Sequence, residues 1–295
     1  MGSQSFPIYG HNRFCSLIKV DWKELQSVAA KADSLYKEFL NKKGRLIEEP
    51  VEPLKSIQKK IYNNILKHVE LPPEFHGGIP KKSSLTNASF HLNKKVILKM
   101  DLKQCFRSIS NAQVFRAWRE FLGCSPTVSR IATRLTTYKG HLPQGTSASP
   151  MLANIVIAPA VMKITELCKQ KGLKNTQFID DANVSGNLIN DSLITEMCKC
   201  FTIFGLRLNR SKIKIMRWGG EQIVTGLSTK KLNLRLPKSV RNSIRLSLFN
   251  LSKVNLNGRL IKRDCQRVRG KIEQLKNTHP QLYEEMLNQY KQIVS

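Results

Sequence analysis

Two adjacent carboxylates interrupt an otherwise apolar stretch of the sequence. Asp180 and Asp181 stand in "QFIDDANVSG" (177–186), and Asp101 comes near the end of the apolar run "KKVILKMDL" (94–102). Carboxylates that converge repel each other unless a cation lies between them. Mg²⁺ prefers a few carboxylates with substrate phosphates and water, and two such ions can hold the attacking and leaving oxygens of a phosphoryl transfer. Metal-assisted phosphoryl transfer is one hypothesis, and hairpin capping by turn aspartates is the alternative.

The rest of the chain is strongly basic. Its 295 residues carry 49 Lys and Arg against 21 Asp and Glu, a formal net charge of +28 with a pI of about 10.1. Lys and Arg neutralise phosphates and release counterions, so this charge indicates a polyanion partner. Charge alone does not choose between DNA, RNA and an anionic membrane surface.

Composition predicts a globular protein of the cytoplasm. Hydrophobic residues make up 41% of the chain, and no apolar run is expected to reach the roughly 20 residues that span a bilayer. The N-terminus lacks the continuous apolar core of a signal peptide. The seven cysteines are an odd number without a regular framework, which is typical of reduced thiols.

The hydrophobic spacing predicts alternating helices and strands up to Pro237, and helices alone after it. Helices are predicted over 21–40, 53–69, 111–122, 126–138, 191–204, 238–252, 259–277 and 280–293, with a long apolar helix after the loop 139–150. Strands are predicted at 94–102, on both sides of Asp180–Asp181, after the basic turn in 41–50, and in short pieces up to Leu236. Neighbouring strand side chains point to opposite faces, so a tight turn must bring Asp181 beside Asp180.

Several motifs in a fixed order resemble those of a reverse transcriptase. "KMDLKQCFRSI" (99–109), "LPQGTSASPMLANIV" (142–156) and "QFIDDANVSG" look like its three central palm motifs. "GLRLNRSKIKI" (205–215) and "IVTGL" (223–227) are similar to the next two. The resemblance extends over roughly residues 35–290.

Two further motifs resemble those of bacterial retron reverse transcriptases in particular. They are Asn87-Ala88-x-x-His91 in "SLTNASFHLNKK" and Val224-Thr225-Gly226. The catalytic turn departs from the family, because Phe178-Ile179 stands where retron enzymes usually carry Tyr-Ala. Both carboxylates survive this change, so activity is expected.

The resemblance implies an α+β fold, the right-hand polymerase fold with fingers, a palm built on an antiparallel sheet, and a helical thumb. The expected division is an N-terminal helical extension over 1–34, fingers over 35–94, palm with part of the fingers over 95–232, and a helical thumb over 233–295.

The resemblance also implies the catalytic residues. Asp101 and Asp180 would be metal ligands with Asp181 beside them, and they would position two Mg²⁺ ions, with Mn²⁺ able to substitute. Lys212 would lie near the triphosphate and protonate the leaving pyrophosphate. A solvated surface charge is the alternative for Lys212 in a chain this basic.

Further residues are expected to contact the nucleotide or the template–primer. Arg45, with Lys43, looks like the fingers arginine that grips the triphosphate. Phe106 stands at the place of the family's sugar gate, with an ordinary core residue as the alternative. The remaining positions are Gln144 for a base or sugar edge, Gly145 for close backbone approach under the template–primer, and the primer-grip residues Val224, Thr225 and Gly226.

Contacts to a structured RNA are expected in two regions. Asn87 and His91 would either contact the RNA or pack inside the protein, and packing is favoured for His91. The helices after Pro237 carry few acidic residues, and this favours nucleic-acid contact over a solvated face. Their candidate residues are Arg241, Arg245, Arg263, Arg267 and Arg269.

The function implied by the resemblance is an RNA-directed DNA polymerase of the retron type. Such an enzyme would use dNTPs to copy a cognate structured non-coding RNA into branched DNA, primed from an RNA 2′-hydroxyl. The expected setting is bacterial anti-phage defence with a separate effector (toxin) protein, no membrane, and a possible higher oligomer. Two alternatives stay open: another bacterial defence or intron-type reverse transcriptase, and a non-catalytic RNA-binding scaffold.

Removing the Phe106 ring tests the sugar-gate interpretation. An aromatic ring packed against C2′ leaves no room for a 2′-hydroxyl, so Phe106→Ala should allow ribonucleotides to be incorporated, and Phe106→Tyr should not. Single-nucleotide extension with a dNTP and the matching rNTP measures the discrimination. Unchanged sugar discrimination in Phe106→Ala would contradict the assignment.

Overall fold

A computed structural model of the protein describes residues 8–256 and 262–294. The chain begins with two short helices, α1 (His11–Ile18) and α2 (Trp22–Ala30), and continues into an antiparallel hairpin of β1 (Tyr36–Leu40) and β2 (Leu46–Pro50). The predicted helix over 21–40 is therefore wrong in its second half. Tertiary contacts override the helical spacing there.

Those contacts hold Tyr36 at the start of β1. The ring of Tyr36 packs on that of Tyr138 with centroids 4.4 Å apart, and its hydroxyl accepts a hydrogen bond of 2.8 Å from Gln58 Nε2. Burial of the Tyr36 side chain raises its pKa. Backbone pairing with β2 then continues the strand to Leu40.

The predicted helices between 53 and 204 are confirmed, with two shorter ones added. They are α3 (Leu54–Asn64), α4 (Ser84–Ser89), α5 (Cys105–Ser108), α6 (Asn111–Arg116), α7 (Pro126–Thr136), α8 (Ser149–Gln170) and α9 (Asp191–Ile203). Serine side chains cap three of them, because Ser83, Ser110 and Ser125 each accept a hydrogen bond from a backbone N–H of the first turn. The predicted helix 111–122 passes from α6 into a π-helix, Ala117–Phe121.

The helix α8 lies in the core beside β4 (Lys174–Phe178) and α9. Its 22 residues are long and apolar enough to cross a bilayer, so the expectation that no run approaches this length is wrong. However, 67% of its most apolar 18-residue stretch is buried inside the protein. Burial by its own neighbours explains why the helix is apolar all round.

A four-stranded antiparallel sheet forms the centre of the fold. It consists of β4, β5 (Asp181–Gly186), β3 (Val96–Asp101) and β6 (Lys214–Arg217), in that spatial order. The register places Asp101 directly opposite Asp181 and Val96 opposite both Gly186 and Arg217. One end of the sheet therefore carries the carboxylates.

The C-terminal part is helical, as predicted. A small hairpin of β7 (Ile223–Val224) and β8 (Leu227–Ser228) leads to α10 (Lys238–Leu256), α11 (Lys262–Glu273) and α12 (Pro280–Val294), which pack on one another. The expected start of the middle helix, 259–261, lies outside the described residues. A second hydrophobic core unites the three helices with Ile97 of β3 and Met216 of β6.

His91 ties α4 to the back of the sheet. Its Nδ1 lies 2.7 Å from Ser185 Oγ and its Nε2 lies 2.8 Å from Thr176 Oγ1, so it joins β5 and β4. The side chains of His91 and Asn87 are fully buried. Neither is available for direct contact with RNA, and that expectation is corrected: both act in packing, as was favoured for His91.

Burial of His91 makes stability depend on pH. Desolvation lowers the pKa of His91 to about 3, so below pH 6.5 the unfolded chain binds a proton that the folded chain does not. The free energy of unfolding keeps its full value above the pKa of the unfolded state, 6.5, and decreases as the pH falls toward the pKa of the folded state, about 3. Between pH 7 and pH 5, the protein should lose about 2 kcal/mol more unfolding free energy than His91→Gln, whose amide keeps hydrogen-bonding capacity without titrating.

Urea unfolding of both proteins at the two pH values measures this difference. The remaining titratable groups are common to both, so their contributions cancel. Equal losses in the two proteins would show that His91 is protonated, or reaches solvent, in the folded state.

Candidate active site at the turn between β4 and β5

The turn that joins β4 to β5 has only two residues. Phe178 pairs with Asp181, which leaves Ile179 and Asp180 between the strands. Ile179 has a φ of 55°, a left-handed conformation that is unfavourable for a β-branched residue. Its carbonyl accepts a hydrogen bond of 2.6 Å from Gln177 Nε2. The surrounding structure thus holds the turn in a strained conformation.

A segment of the chain from 74 to 78 supports the turn from behind. His76 N donates to Gln177 O at 2.8 Å, and Asn154 Nδ2 donates to Gly77 O at 2.7 Å. A Cβ atom on Gly77 would lie 2.6 Å from Ile179 N. Because only glycine permits this approach, Gly77 sets the position of the turn. The signal available in the sequence for this role was the Gly77-Gly78 pair.

The three predicted carboxylates come together at the end of the sheet. Asp101 and Asp181 face each other across β3 and β5, and Leu102 N donates to Asp180 O at 2.8 Å. Asp101 is only 8% exposed. Burial, followed by repulsion from Asp181 and Asp101, raises the pKa of Asp180. A bound cation would therefore relieve the repulsion among these carboxylates.

Two lysines lie against these carboxylates. Lys212 Nζ is 3.2 Å and 3.1 Å from the two oxygens of Asp101, and Lys99 Nζ is 2.9 Å from Asp181 Oδ2. The placement of Lys212 at the site agrees with its predicted position, while its role as a proton donor stays a prediction. Sequence reasoning missed Lys99. Its position two residues before Asp101 on a strand was the available signal, since such residues share a face.

The donor set fits divalent cations. Divalent cations prefer oxygen ligands, and carboxylates that repel one another favour a cation between them. The ion pairs of Lys99 and Lys212 show that this site attracts cationic groups. Within residues 8–256 and 262–294, no group of three or more His, Cys, Asp or Glu side chains is arranged to enclose a metal ion. Coordination would therefore need substrate phosphates and water besides Asp101, Asp180 and Asp181.

The tip of the β1–β2 hairpin carries Lys43 and Arg45, and the charge of Arg45 acts on this acidic turn. Asn41 Oδ1 accepts hydrogen bonds from the backbone N–H groups of Lys43 and Arg45 at 2.9 Å and 3.0 Å, which shapes the tip. The charge of Arg45 lowers the pKa of Asp180 against the larger effects that raise it. Both basic side chains are exposed, as triphosphate contacts would require. Their role stays a prediction.

Glu48 joins this hairpin to the loop that carries Gln144. Its buried carboxylate lies 3.0 Å from His141 Nε2 and 3.4 Å from Arg107 Nη2, and it accepts from Gln144 N at 3.1 Å. Glu48 N donates in turn to Gln144 O at 2.8 Å. Sequence reasoning missed Glu48, although strand alternation puts it on the same face as Leu46 and Pro50.

Gly145 does allow a close backbone approach, and the neighbour that it approaches is β2 of the same chain. A Cβ atom there would lie 2.8 Å from Ile47 Cγ2 and 3.2 Å from Glu48 O, and its φ is 133°. The physical reason given for this glycine is therefore corrected: it fits the loop against β2. The outer side of Gly145 is exposed, and the Gln144 side chain is half-buried.

The remaining predicted contacts differ in accessibility. Phe106 is half-buried against the main core at the start of α5, five residues after Asp101. Val224 is fully buried, so the expectation that it touches the primer is corrected. Gly226 is exposed at a φ of 82° with open space around it.

The two retron-type motifs meet beside the β7–β8 hairpin. Asn87 Nδ2 donates to Thr225 Oγ1 at 3.5 Å, and Thr225 Oγ1 donates to Ser84 O at 2.9 Å. Since Thr225 uses its hydroxyl in this contact, its side chain anchors the hairpin to α4. The motifs thus form one structural unit.

The arginines of the helical part are partly engaged. Arg267 pairs with Asp264 at 3.6 Å, and Arg269 pairs with Glu273 at 2.7 Å. Arg245 and Arg263 are exposed and Arg241 is half-buried. Nucleic-acid contact by these five residues stays a prediction.

Comparison with known proteins agrees with this geometry. The family described as "Reverse transcriptase (RNA-dependent DNA polymerase)" matches residues 9–242. The chain belongs to this family, and it is an RNA-directed DNA polymerase. The match begins well before residue 35, where the resemblance was expected to start.

The resemblance to retron enzymes is also confirmed. The chain is 27% identical over 258 residues to the retron Se72 reverse transcriptase of Salmonella heidelberg, covering 82% of this chain and 68% of that protein. It is 27% identical over 242 residues to the retron Ec86 reverse transcriptase of Escherichia coli, covering 79% and 75%.

A solved structure confirms the right-hand fold. The telomerase from Candida albicans matches with a TM-score of 0.51 at 12% identity, over 92% of this chain and 61% of that one. At this identity the likeness concerns the fold alone. The predicted boundaries between fingers, palm and thumb stay predictions.

In a reverse transcriptase, a primer hydroxyl and an incoming nucleotide would meet at these carboxylates. Divalent cations held there would activate the hydroxyl and neutralise charge on the pyrophosphate. Asp101, Asp180 and Asp181 would orient the reacting groups, Arg45 would bind phosphate oxygens, and Lys212 would hold a proton close to the leaving group. The half-buried ring of Phe106 would lie beside the sugar.

Substitution of Gly77 tests whether its contact positions the turn. The new Cβ atom in Gly77→Ala would push Ile179, so the polymerisation rate should fall by roughly 100-fold, as expected for a displacement on the order of 1 Å. Gly270→Ala is the control, because a Cβ atom there meets nothing within 4 Å. Primer extension and thermal unfolding would be measured together. A folded Gly77→Ala protein with a normal rate would contradict this role.

Proposed function

We propose that the protein copies one cognate structured non-coding RNA into branched multicopy single-stranded DNA, using the 2′-hydroxyl of an internal guanosine as primer. The observation that carries this proposal is the similarity to curated retron reverse transcriptases over about four fifths of the chain. The contact between Asn87 and Thr225 supports it, because each belongs to one of the two retron-type motifs.

The proposal includes the ions and the setting. Two Mg²⁺ ions would act with Asp101, Asp180 and Asp181, and Mn²⁺ could replace them. The enzyme would work in the bacterial cytoplasm, retain its RNA–DNA product, and serve anti-phage defence with a separate effector protein. The formal charge of +28 fits the retention of a polyanionic product.

Nucleic acid bound to the protein, purified after expression from its native locus, tests the proposal. Treatment with ribonuclease, deoxyribonuclease and a debranching enzyme should reveal a short DNA joined 2′–5′ to a structured RNA. The double variant Asp180→Ala, Asp181→Ala should retain the RNA and carry no DNA, because it removes two carboxylates without touching the basic surface.

Two results would contradict the proposal in different ways. Bound RNA without DNA, even after dNTPs and Mg²⁺ are supplied to the unmodified protein, would mean that it does not copy its own RNA. Linear or untemplated DNA would indicate another class of bacterial reverse transcriptase.

A further inference from the structure

An open cleft lies beside the chain segments that follow β6. It has a volume of about 400 Å³, and its walls include Trp218, Asn93 and the loop from Lys230 to Arg235. This volume is within the range of about 300–1,000 Å³ that is usual for small-ligand pockets. None of these residues belongs to the active site described above.

Trp218 gives the cleft an aromatic wall. Its side chain is 44% exposed, although its backbone N–H is fixed by a hydrogen bond of 2.9 Å to Lys95 O. A tryptophan with an open face in a fixed place is a stacking platform for a nucleobase, whatever the base.

Uncompensated positive charge surrounds this ring. Lys230, Lys231 and Arg235 line the cleft, and none of them takes part in an ion pair within the described parts of the chain. The charge of Arg235 also acts on the helical part. The pKa of His279 is lowered mainly by burial, and to a smaller extent by the charges of Arg241 and Arg235. The cleft therefore attracts anions.

The cleft is held open by a rigid base. Ser228 and Arg235 exchange two backbone hydrogen bonds of 2.8 Å and 3.2 Å, which close the loop between them. Asn93 N donates to Thr229 O at 2.9 Å, and the buried Gln222 donates through Nε2 to Lys94 O at 2.9 Å. These hydrogen bonds fix the backbone around the cleft before a ligand binds.

The cleft is distant from the catalytic turn. Trp218 follows β6 and bonds to Lys95, just before the start of β3, whereas Asp101 ends that strand. Six residues of strand separate the two points, which is roughly 20 Å. A nucleotide in the cleft would not be the one undergoing incorporation.

We propose that this cleft binds an unpaired nucleotide of a single-stranded nucleic acid. The base stacks on Trp218, and the neighbouring phosphates lie against Lys230, Lys231 and Arg235. The inference rests on the proposed function, because a retained complex supplies single strands from two sources: loops of the cognate RNA and the DNA product.

Fluorine NMR of protein labelled with 5-fluorotryptophan tests the proposal. The chain has three tryptophans, so three signals are expected, and Trp218→Phe assigns one of them. An eight-nucleotide single-stranded RNA, a DNA of the same sequence and an RNA duplex are the probes. Single strands should shift the Trp218 signal, whereas the fully buried Trp118 serves as an internal reference.

A matched pair of variants tests the phosphate contacts. Lys230→Ala, Lys231→Ala should weaken binding, as followed at the Trp218 signal, by about ten-fold at physiological salt, and should reduce the slope of log affinity against log salt by about 1.4. Lys169→Ala, Lys171→Ala removes two exposed lysines at the end of α8 and should change neither quantity.

Three outcomes would overturn the proposal. They are an unmoved Trp218 signal when fluorescence anisotropy shows saturation, an equal response to the duplex, and equal weakening by both lysine pairs. A response to RNA alone or DNA alone identifies the source of the strand. The NMR result does not depend on catalysis, and DNA synthesis by the unmodified protein on a primed template is measured separately, so failure of the proposed function would be distinguishable.

Discussion

Mutual repulsion among three carboxylates at one end of a sheet is the constraint on which the rest of the structure depends. Cross-strand register brings Asp101 opposite Asp181, and a two-residue turn adds Asp180. The pKa of Asp180 is raised by burial and by its two neighbours, so the site costs folding free energy until cations approach. Lys212 and Lys99 partly offset this cost. An acidic centre in a chain of net charge +28 then has a physical meaning: the surface attracts a polyanion, and the centre attracts the cations that would assist its chemistry.

A strained acidic turn needs support from outside its own strands. Gly77 presses against Ile179, and His91 joins the two strands behind it. Asn87, one turn of helix before His91, holds Thr225 in the next hairpin. That hairpin contributes Val224 and Leu227 to the second hydrophobic core, which contains the three C-terminal helices. The Asn-Ala-x-x-His motif therefore connects the catalytic sheet to the helical part through buried contacts. Its residues fix these elements relative to each other.

Much of this arrangement was predictable because its signals are local. Apolar runs that lead into Asp101 and into Asp180–Asp181 predicted the strands beside these carboxylates, and the helical spacing after Pro237 predicted the three final helices. The failures have a common physical cause, which is a partner distant in sequence. Tyr36 begins a strand because of Tyr138 and Gln58, and spacing within 21–40 could not show that. Val224 and Gly145 were assigned by motif to the template–primer groove, but Val224 is buried in the protein and Gly145 fits its loop against β2.

The role of Glu48 depends on contacts between segments that are distant in the sequence and that the fold brings together. It is buried, yet it interacts with His141, Arg107 and the backbone of Gln144. Removing one partner of a buried charge leaves the others unsatisfied, so these contacts stabilise one another. Arg45 lies three residues before Glu48, and Arg107 follows Phe106 directly. One carboxylate thus joins the hairpin that carries Arg45, the loop that carries Gln144 and the helix that carries Arg107. This junction fixes the relative positions of three segments that the resemblance expects to contact the triphosphate, the template and the sugar.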